Sequence, residues 1–232
     1  MPEAELSTDI LAQALVNLRK KPLPGGLEGV SAESFDILSP HFPFGLRLMM
    51  SNRWLFGSMV ESQLGKNAKI DALMRTTTAP TMLRAGIKSN VIPATAQATI
   101  NFRLHPRDTV DDVISHITSA INDDRVEVKI ANGDIGGGTG TPASTISSRS
   151  SEGFKAISRV VRQVYGNIIV IPGMTMAATD SKHYSKVSDD SYRINLMKIT
   201  SADISGFHGK NERISVDNLA NGTAAYYLLM KQ

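Results

Sequence analysis

The side chains best suited to chemistry stand in three short stretches. The first is "GFHGKNERISV", residues 206–216, which holds His208. Gly206 and Gly209 free the backbone on either side, so this loop can bend around a ligand. An imidazole there suits a metal, but one histidine cannot hold a metal ion by itself. No second ligand lies within helical reach, and an isolated histidine is more often a surface loop residue. The second stretch is "ATDSKHY", residues 178–184. Thr179 and Asp180 fall at a strand-to-helix turn, where backbone N–H groups can grip a carboxylate or an oxyanion. Asp180 would serve equally as a plain helix N-cap, the commoner use of such a residue. The place still matters, because sites in layered α/β sheets gather at the carboxyl ends of strands. The third stretch holds Asn90 and Arg103. Arg103 lies on the polar face of a strand, where its planar guanidinium could clamp a carboxylate; a surface ion pair fits it as well. "GDIGGGTGT" lacks the ending of a phosphate loop and the GxGxxG spacing, so it reads as a linker. His41, His105, His116 and His183 carry weak signals.

The bulk numbers bound what these residues can do. The chain has 232 residues, 41% hydrophobic and 20% charged, an ordinary globular mix. A net charge of +3 is too small to argue for nucleic acid or an anionic membrane, so neither partner is expected. There is no cysteine, which excludes disulfides, thiolate nucleophiles and thiolate metal sites. Any metal must take His, Asp or Glu ligands. "MPEAELSTDI" is acidic and has no apolar core, so it is not a signal peptide, and no compartment is assigned. The most apolar stretch, "HFPFGLRLMMSNRWLFGSMV", is broken by Arg47, Asn52 and Arg53 before it reaches a membrane span. It reads as a half-buried helical segment or a surface patch.

Periodicity supplies the elements that position these residues. Ile10, Leu11, Ala14, Leu15 and Leu18 share one face of a helix over 8–19, with Ser7 as its N-cap. Residues 22–73 form a Met-rich, partly helical insertion. "RTTTAPTMLRAG" is extended, with Pro80 marking an edge strand or a bulge. Ala96, Ala98, Ile100, Phe102 and Leu104 alternate along a half-buried strand. "TVDD" opens a helix with Val110, Val113, Ile114, Ile117 and Ile121 as its stripe. "RVEVKIA" (125–131) alternates as a further strand. The order fits a ferredoxin-like β-α-β-β-α-β unit whose first strand is missing, so the sequence is expected to start inside a domain. After the Gly/Thr/Ser stretch 132–148 the style changes. A helix over 151–165 turns Phe154, Ile157, Val161, Val164 and Tyr165 inward. "IIVI" (168–171) reads as a strand covered on both faces, and "SYRINLM" as another. A last helix, capped by Ser215, carries Val216, Leu219, Ala220, Thr223, Tyr227 and Met230 on one face. This is the pattern of part of an α/β layered domain. The expected division is 1–132 and 133–232.

In this order the motifs resemble a family, the co-catalytic zinc peptidases related to carboxypeptidase S and aminoacylase. "TTTAPTMLRAGIKSNVIPATAQATINFRLHP" looks like the core of that family's lid domain. "TDSKHY" followed by "GFHGKNERISVDNL" is similar to its closing motifs. The resemblance covers nearly the whole chain and points to the carboxypeptidase S and N-fatty-acyl amino acid hydrolase branch. It implies an incomplete α+β lid over 1–132, joined to the C-terminal part of an α/β zinc-peptidase catalytic domain over 133–232. His208 matches the family's last metal ligand, Asn90 a lid asparagine that reaches substrate, and Arg103 a lid arginine that holds the substrate carboxylate. Thr179 and Asp180 match the loop bordering the substrate pocket. The resemblance further implies a homodimer through the lid, two zinc ions per full-length enzyme, and N-acyl amino acid or peptide substrates. In such enzymes two metals activate a bridging water and a glutamate takes its proton. The family's first histidine, bridging aspartate, two further acidic ligands and general-base glutamate have no counterpart in the 232 residues. No catalytic residue is therefore assigned, and the chain alone is expected to be inactive. Two other uses fit the same elements: a non-catalytic dimerisation or binding module, and an RNA-binding sheet. The second is weak, since the strand with Phe102 offers one aromatic where stacking needs a pair.

Overall fold

The structure is a computed structural model and describes residues 4–131, 140–175, 179–207 and 209–232. It divides into two compact units, Met1–Ser144 and Thr145–Gln232.

In the first unit, α1 (Ser7–Lys20) and α6 (Val110–Ile121) pack on one another and on a hairpin of β1 (Thr77–Arg84) and β2 (Gln97–Arg103). Ala14, Leu18, Leu23, Val113, Ile117, Ala120 and Ile121 are buried together, and Ile100, Phe102 and Leu104 close the cluster from the strand side. The two periodicities foreseen, 3.6 on the helices and 2 on β2, thus meet in one core. α1 begins one residue earlier than the Ser7 cap would place it. The Asp9 carboxylate accepts the Leu6 N–H at 2.9 Å, and the Ser7 hydroxyl donates instead to Pro93 O at 2.8 Å. α6 opens as expected: Thr109 Oγ1 accepts the Asp112 N–H at 3.1 Å, and Asp112 Oδ2 accepts the Thr109 N–H at 2.9 Å. That reciprocal pair satisfies two donors left orphaned by the helix start; the Thr109 hydroxyl, which donates to Asp112 Oδ2 at 2.6 Å, and next the Thr109 N–H hold the Asp112 carboxyl below its ordinary pKa. β1 and β2 are antiparallel from Thr77↔Arg103 to Arg84↔Gln97, with a register shift between Pro80 and Met82. The bulge falls at the proline because Pro has no N–H to give to the ladder.

Residues 125–131 correct the expected strand. Val126 and Val128 do face the core, and Glu127 and Lys129 pair on the opposite side at 2.8 Å. The alternation is right, but no ladder forms, because among the described residues nothing lies alongside to pair with it. In a split unit the first strand would stand there.

The insertion has its own core. α2 (Gly29–Leu38), α3 (Phe44–Ser51), α4 (Arg53–Leu64) and α5 (Ala68–Asp71) surround Leu27, Met50, Val60 and Met74, with Phe35, Phe42, Phe56 and Leu64 packed against them. Its two ends meet. The Gly26 N–H donates to Met74 O at 3.0 Å, and Arg107 donates to Pro24 O at 2.8 Å and Met74 O at 3.4 Å.

In the second unit, α7 (Glu152–Tyr165) packs on α10 (Val216–Leu229) around Val160, Leu196 and Ala225. Ser215 caps α10 as read from the sequence, accepting the Asn218 N–H, and Ser151 caps α7 in the same way, accepting the Phe154 N–H. α7 turns Ile157 inward as foreseen, with Val161 and Val164 half-buried against the core, whereas the buried face of α10 differs from the one foreseen. α7 buries Ala156, Ile157, Ser158 and Val160, and α10 buries Gly222 and Ala225. Val216 and Met230 are 82% and 80% exposed, and Leu219 and Tyr227 are exposed too. Small residues win the contact because they let backbones approach: a Cβ on Gly222 would lie 2.6 Å from Met197 Cγ. The two further strands are also corrected. Ile168, Ile169 and Ile171 are exposed and unladdered, and 191–197 forms no ladder. Side chains take the ladder's place along that segment. Tyr165 donates to Leu196 O at 2.7 Å, Tyr226 to Ile194 O at 3.3 Å, and Asn218 bonds both the N–H and the C=O of Lys198.

Candidate functional site

Arg103 is the last residue of β2 and pairs in register with Thr77. Asn90 sits in the turn region linking β1 to β2, beyond the Arg84↔Gln97 pair at the other end of the hairpin. Both are exposed. The six-residue step from Gln97 to Arg103 spans about 20 Å at the rise of an extended strand. One chain therefore does not bring Asn90 and Arg103 onto the same small carboxylate.

In the second unit Asp180 occupies the N-cap position of α8 (Ser181–Tyr184), yet its side chain makes no capping bond. The hydroxyls lie beside it: Thr179 Oγ1 and Ser181 Oγ are 2.5 Å apart. Arg193 Nε donates to both, at 3.2 Å to Thr179 and 2.5 Å to Ser181. A guanidinium joined to two hydroxyls can present donors to a carboxylate. Arg193 was missed in the sequence because "SYRINLM" reads as an ordinary strand. Thr200 and Asp203 form a reciprocal cap on α9 (Ser201–Gly206), which leads towards the Gly206–Gly209 turn. His208 itself lies outside the described residues.

His105 is the other residue that the sequence undervalued. It is only 6% exposed. Its backbone N–H donates to Thr76 Oγ1 at 2.8 Å, and the Thr76 hydroxyl in turn donates to Asp108 Oδ2 at 2.5 Å. Nδ1 accepts the Arg107 N–H at 3.3 Å, which leaves Nε2 buried without a hydrogen-bond partner in the structure. Burial, and next the Arg107 charge, hold its pKa below the ordinary histidine value. No pattern of spacing announces such a residue; its role comes from the loop that folds over it.

A cavity of about 550 Å³ opens between α4, α5 and residues 22–26, lined by Ser58, Glu61, Ser62, Lys66, Asp71 and Arg75. Its charges are engaged internally: Arg75 with Asp71 at 2.8 Å and Leu23 O at 2.9 Å, Glu61 with the Leu27 N–H at 3.1 Å. Among the described residues no three His, Cys, Asp or Glu side chains come together as a metal cage. The described residues therefore do not by themselves fit a zinc pair.

The pattern of the first unit meets a known family. Residues 7–129 match the family described as the peptidase dimerisation domain of M20. The chain belongs to the M20 peptidase family. Its curated M20 relatives include the N-fatty-acyl-amino acid synthase/hydrolase PM20D1.1 of Danio rerio, 37% identical over 100% of this chain and 44% of that protein. The mouse (Mus musculus) N-fatty-acyl-amino acid synthase/hydrolase PM20D1 is 37% identical over 95% of this chain and 43% of its own length. The probable carboxypeptidase S-like 2 of Dictyostelium discoideum is 35% identical over 100% of the chain and 43% of its own length. The chain thus spans less than half the length of the curated M20 relatives it matches. No solved structure matches it significantly.

Proposed function

We propose that this chain is the lid-bearing part of a zinc-dependent M20 peptidase or amidohydrolase that cleaves amide bonds of N-acyl amino acids or short peptides. The likeness that runs the full length of the chain to an N-fatty-acyl-amino acid synthase/hydrolase supports this most directly. In this reading His208 is a metal ligand, and Asn90, Arg103, Thr179 and Asp180 contact substrate. Arg193 joins them by holding the Thr179 and Ser181 hydroxyls. Since Asn90 and Arg103 stand at opposite ends of one hairpin, each serves a different part of the substrate or a different subunit. The lid forms a homodimer, and the chain alone turns over no substrate. N-acyl amino acid hydrolysis with added zinc tests this: the chain should match buffer, and turnover above buffer overturns the reading of inactivity.

A second reading, a non-catalytic dimerisation module, draws on β1. That strand has no ladder neighbour but β2 among the described residues, and Leu83, Ile87, Val91 and Ile92 are exposed along the hairpin. An open edge of this kind is a ready pairing surface. Sedimentation should give a dimer in either case, and Leu83→Asp should yield a monomer. Restored hydrolysis on adding a polypeptide that carries the family's remaining ligands would favour the enzyme reading over the module.

A further inference from the structure

The insertion carries a surface that neither the core nor the proposed site absorbs. α3 and α4 turn Met50, Val60, Met49 and Phe56 inward. The same two helices expose Phe44, Leu46, Leu48, Trp54, Leu55 and Met59. Trp54, the chain's single tryptophan, is 83% exposed, and Phe44 is 71% exposed. Scattered apolar residues are normal on a surface; six on one helical hairpin are not. We propose that this hairpin docks on an anionic lipid surface and lies in its headgroup region.

Charge selects the occupant. No Asp or Glu occurs between Asp36 and Glu61, while Arg47 and Arg53 do. Asp36 is already held by Arg53 at 2.6 Å, and Glu61 accepts the Leu27 N–H. Arg47 stands over the Phe44 ring at 6.0 Å, so a cation sits beside the exposed apolar side chains. With Arg53 and Asp36 holding each other, Arg47 is the arginine left on the hairpin, and a second copy would offer it no carboxylate between residues 37 and 60. An anionic headgroup brings the complement, and its acyl region takes the aromatic and aliphatic side chains. Helices of 8 and 12 residues are too short to cross a bilayer, and no helix among the described residues is long and apolar enough to do so. Arg47 acts locally, beside the exposed apolar side chains, so the small net charge of the whole chain does not decide its contact.

Trp54 is its own reporter. The chain is mixed with vesicles of phosphatidylcholine alone and of phosphatidylcholine containing phosphatidylglycerol. With phosphatidylglycerol the emission should shift to the blue, the chain should co-sediment, and added salt should weaken both. Brominated acyl chains should quench the emission. Leu55→Ser with Met59→Ser should abolish co-sedimentation, and Arg47→Glu should weaken it several-fold, each with an unchanged circular-dichroism spectrum. No shift with either vesicle overturns the proposal, as does an equal response to both. A blue shift that grows with protein concentration and needs no vesicle also overturns it, in favour of a second copy. Hydrolysis plays no part in these readouts, so they stand or fall apart from the enzyme reading.

Discussion

The two units bury different kinds of surface. Met1–Ser144 closes large aliphatic side chains against one another: Leu18, Val113, Ile117 and Ile121 in one core, Met50, Val60 and Met74 in the other. Thr145–Gln232 closes a core of Val160, Leu196 and Ala225, reached through the bare backbone of Gly222. It leaves Val216, Leu219, Tyr227 and Met230 facing water. A helix that is apolar on more than one side is built for cover on more than one side. α10 has cover on the side of its small residues only. The lesson is that a helix's most apolar face and its best-packed face need not be the same.

Substitutions can break or sharpen that contrast, and amide exchange resolved by unit is the proper readout, since one unfolding midpoint is ill-defined for two units. The largest loss should come from Ile117→Ala, about 2–5 kcal/mol in the first unit alone. Gly222→Val should cost about 1–3 kcal/mol in the second unit by overpacking against Met197. An unaffected second unit would mean that its core is loose enough to absorb an isopropyl group. Thr109→Ala should cost about 1 kcal/mol by removing the reciprocal cap of α6. Acid should act on the first unit through His105. Its folded pKa is depressed, so the unfolded chain binds the proton more readily. Stability is then full above the ordinary histidine pKa of about 6.5 and is lost as pH falls below it. Denaturant unfolding at a series of pH values should show that slope, and His105→Gln should flatten it. Leu219→Ser should be smallest, within about 0.5 kcal/mol, because the side chain is already in water.

Those differences also explain how far the sequence could be read. The α1 and α6 stripes and the alternation of β2 were legible because each element finds its partner inside the chain. The same logic misread 125–131 and 168–171: alternation and apolarity describe side chains, whereas a strand also needs a neighbour for its backbone. The inward face of α10 was misjudged because period-counting weighs size, and packing there rewarded smallness. At the candidate site the turn at Thr179–Asp180 was visible from residue types, but Arg193 enters it from across the fold. His105 looked idle because Thr76, which only the tertiary structure brings to it, ties it to its neighbours Arg107 and Asp108.

Arg107 touches Pro24 and Met74, the two residues between which the helical insertion leaves the lid and returns. Its bonds there are to carbonyl oxygens, which every residue type supplies; one side-chain bond, to the Glu28 carboxylate at 3.0 Å, reaches inside the segment. The first unit can thus carry this segment as a cartridge clipped at a collar, with Glu28 the residue that a replacement would have to keep or forgo. A short turn in place of 27–73 would close the same collar, and lengthening the segment would cost little, since loop-closure entropy grows only with the logarithm of length.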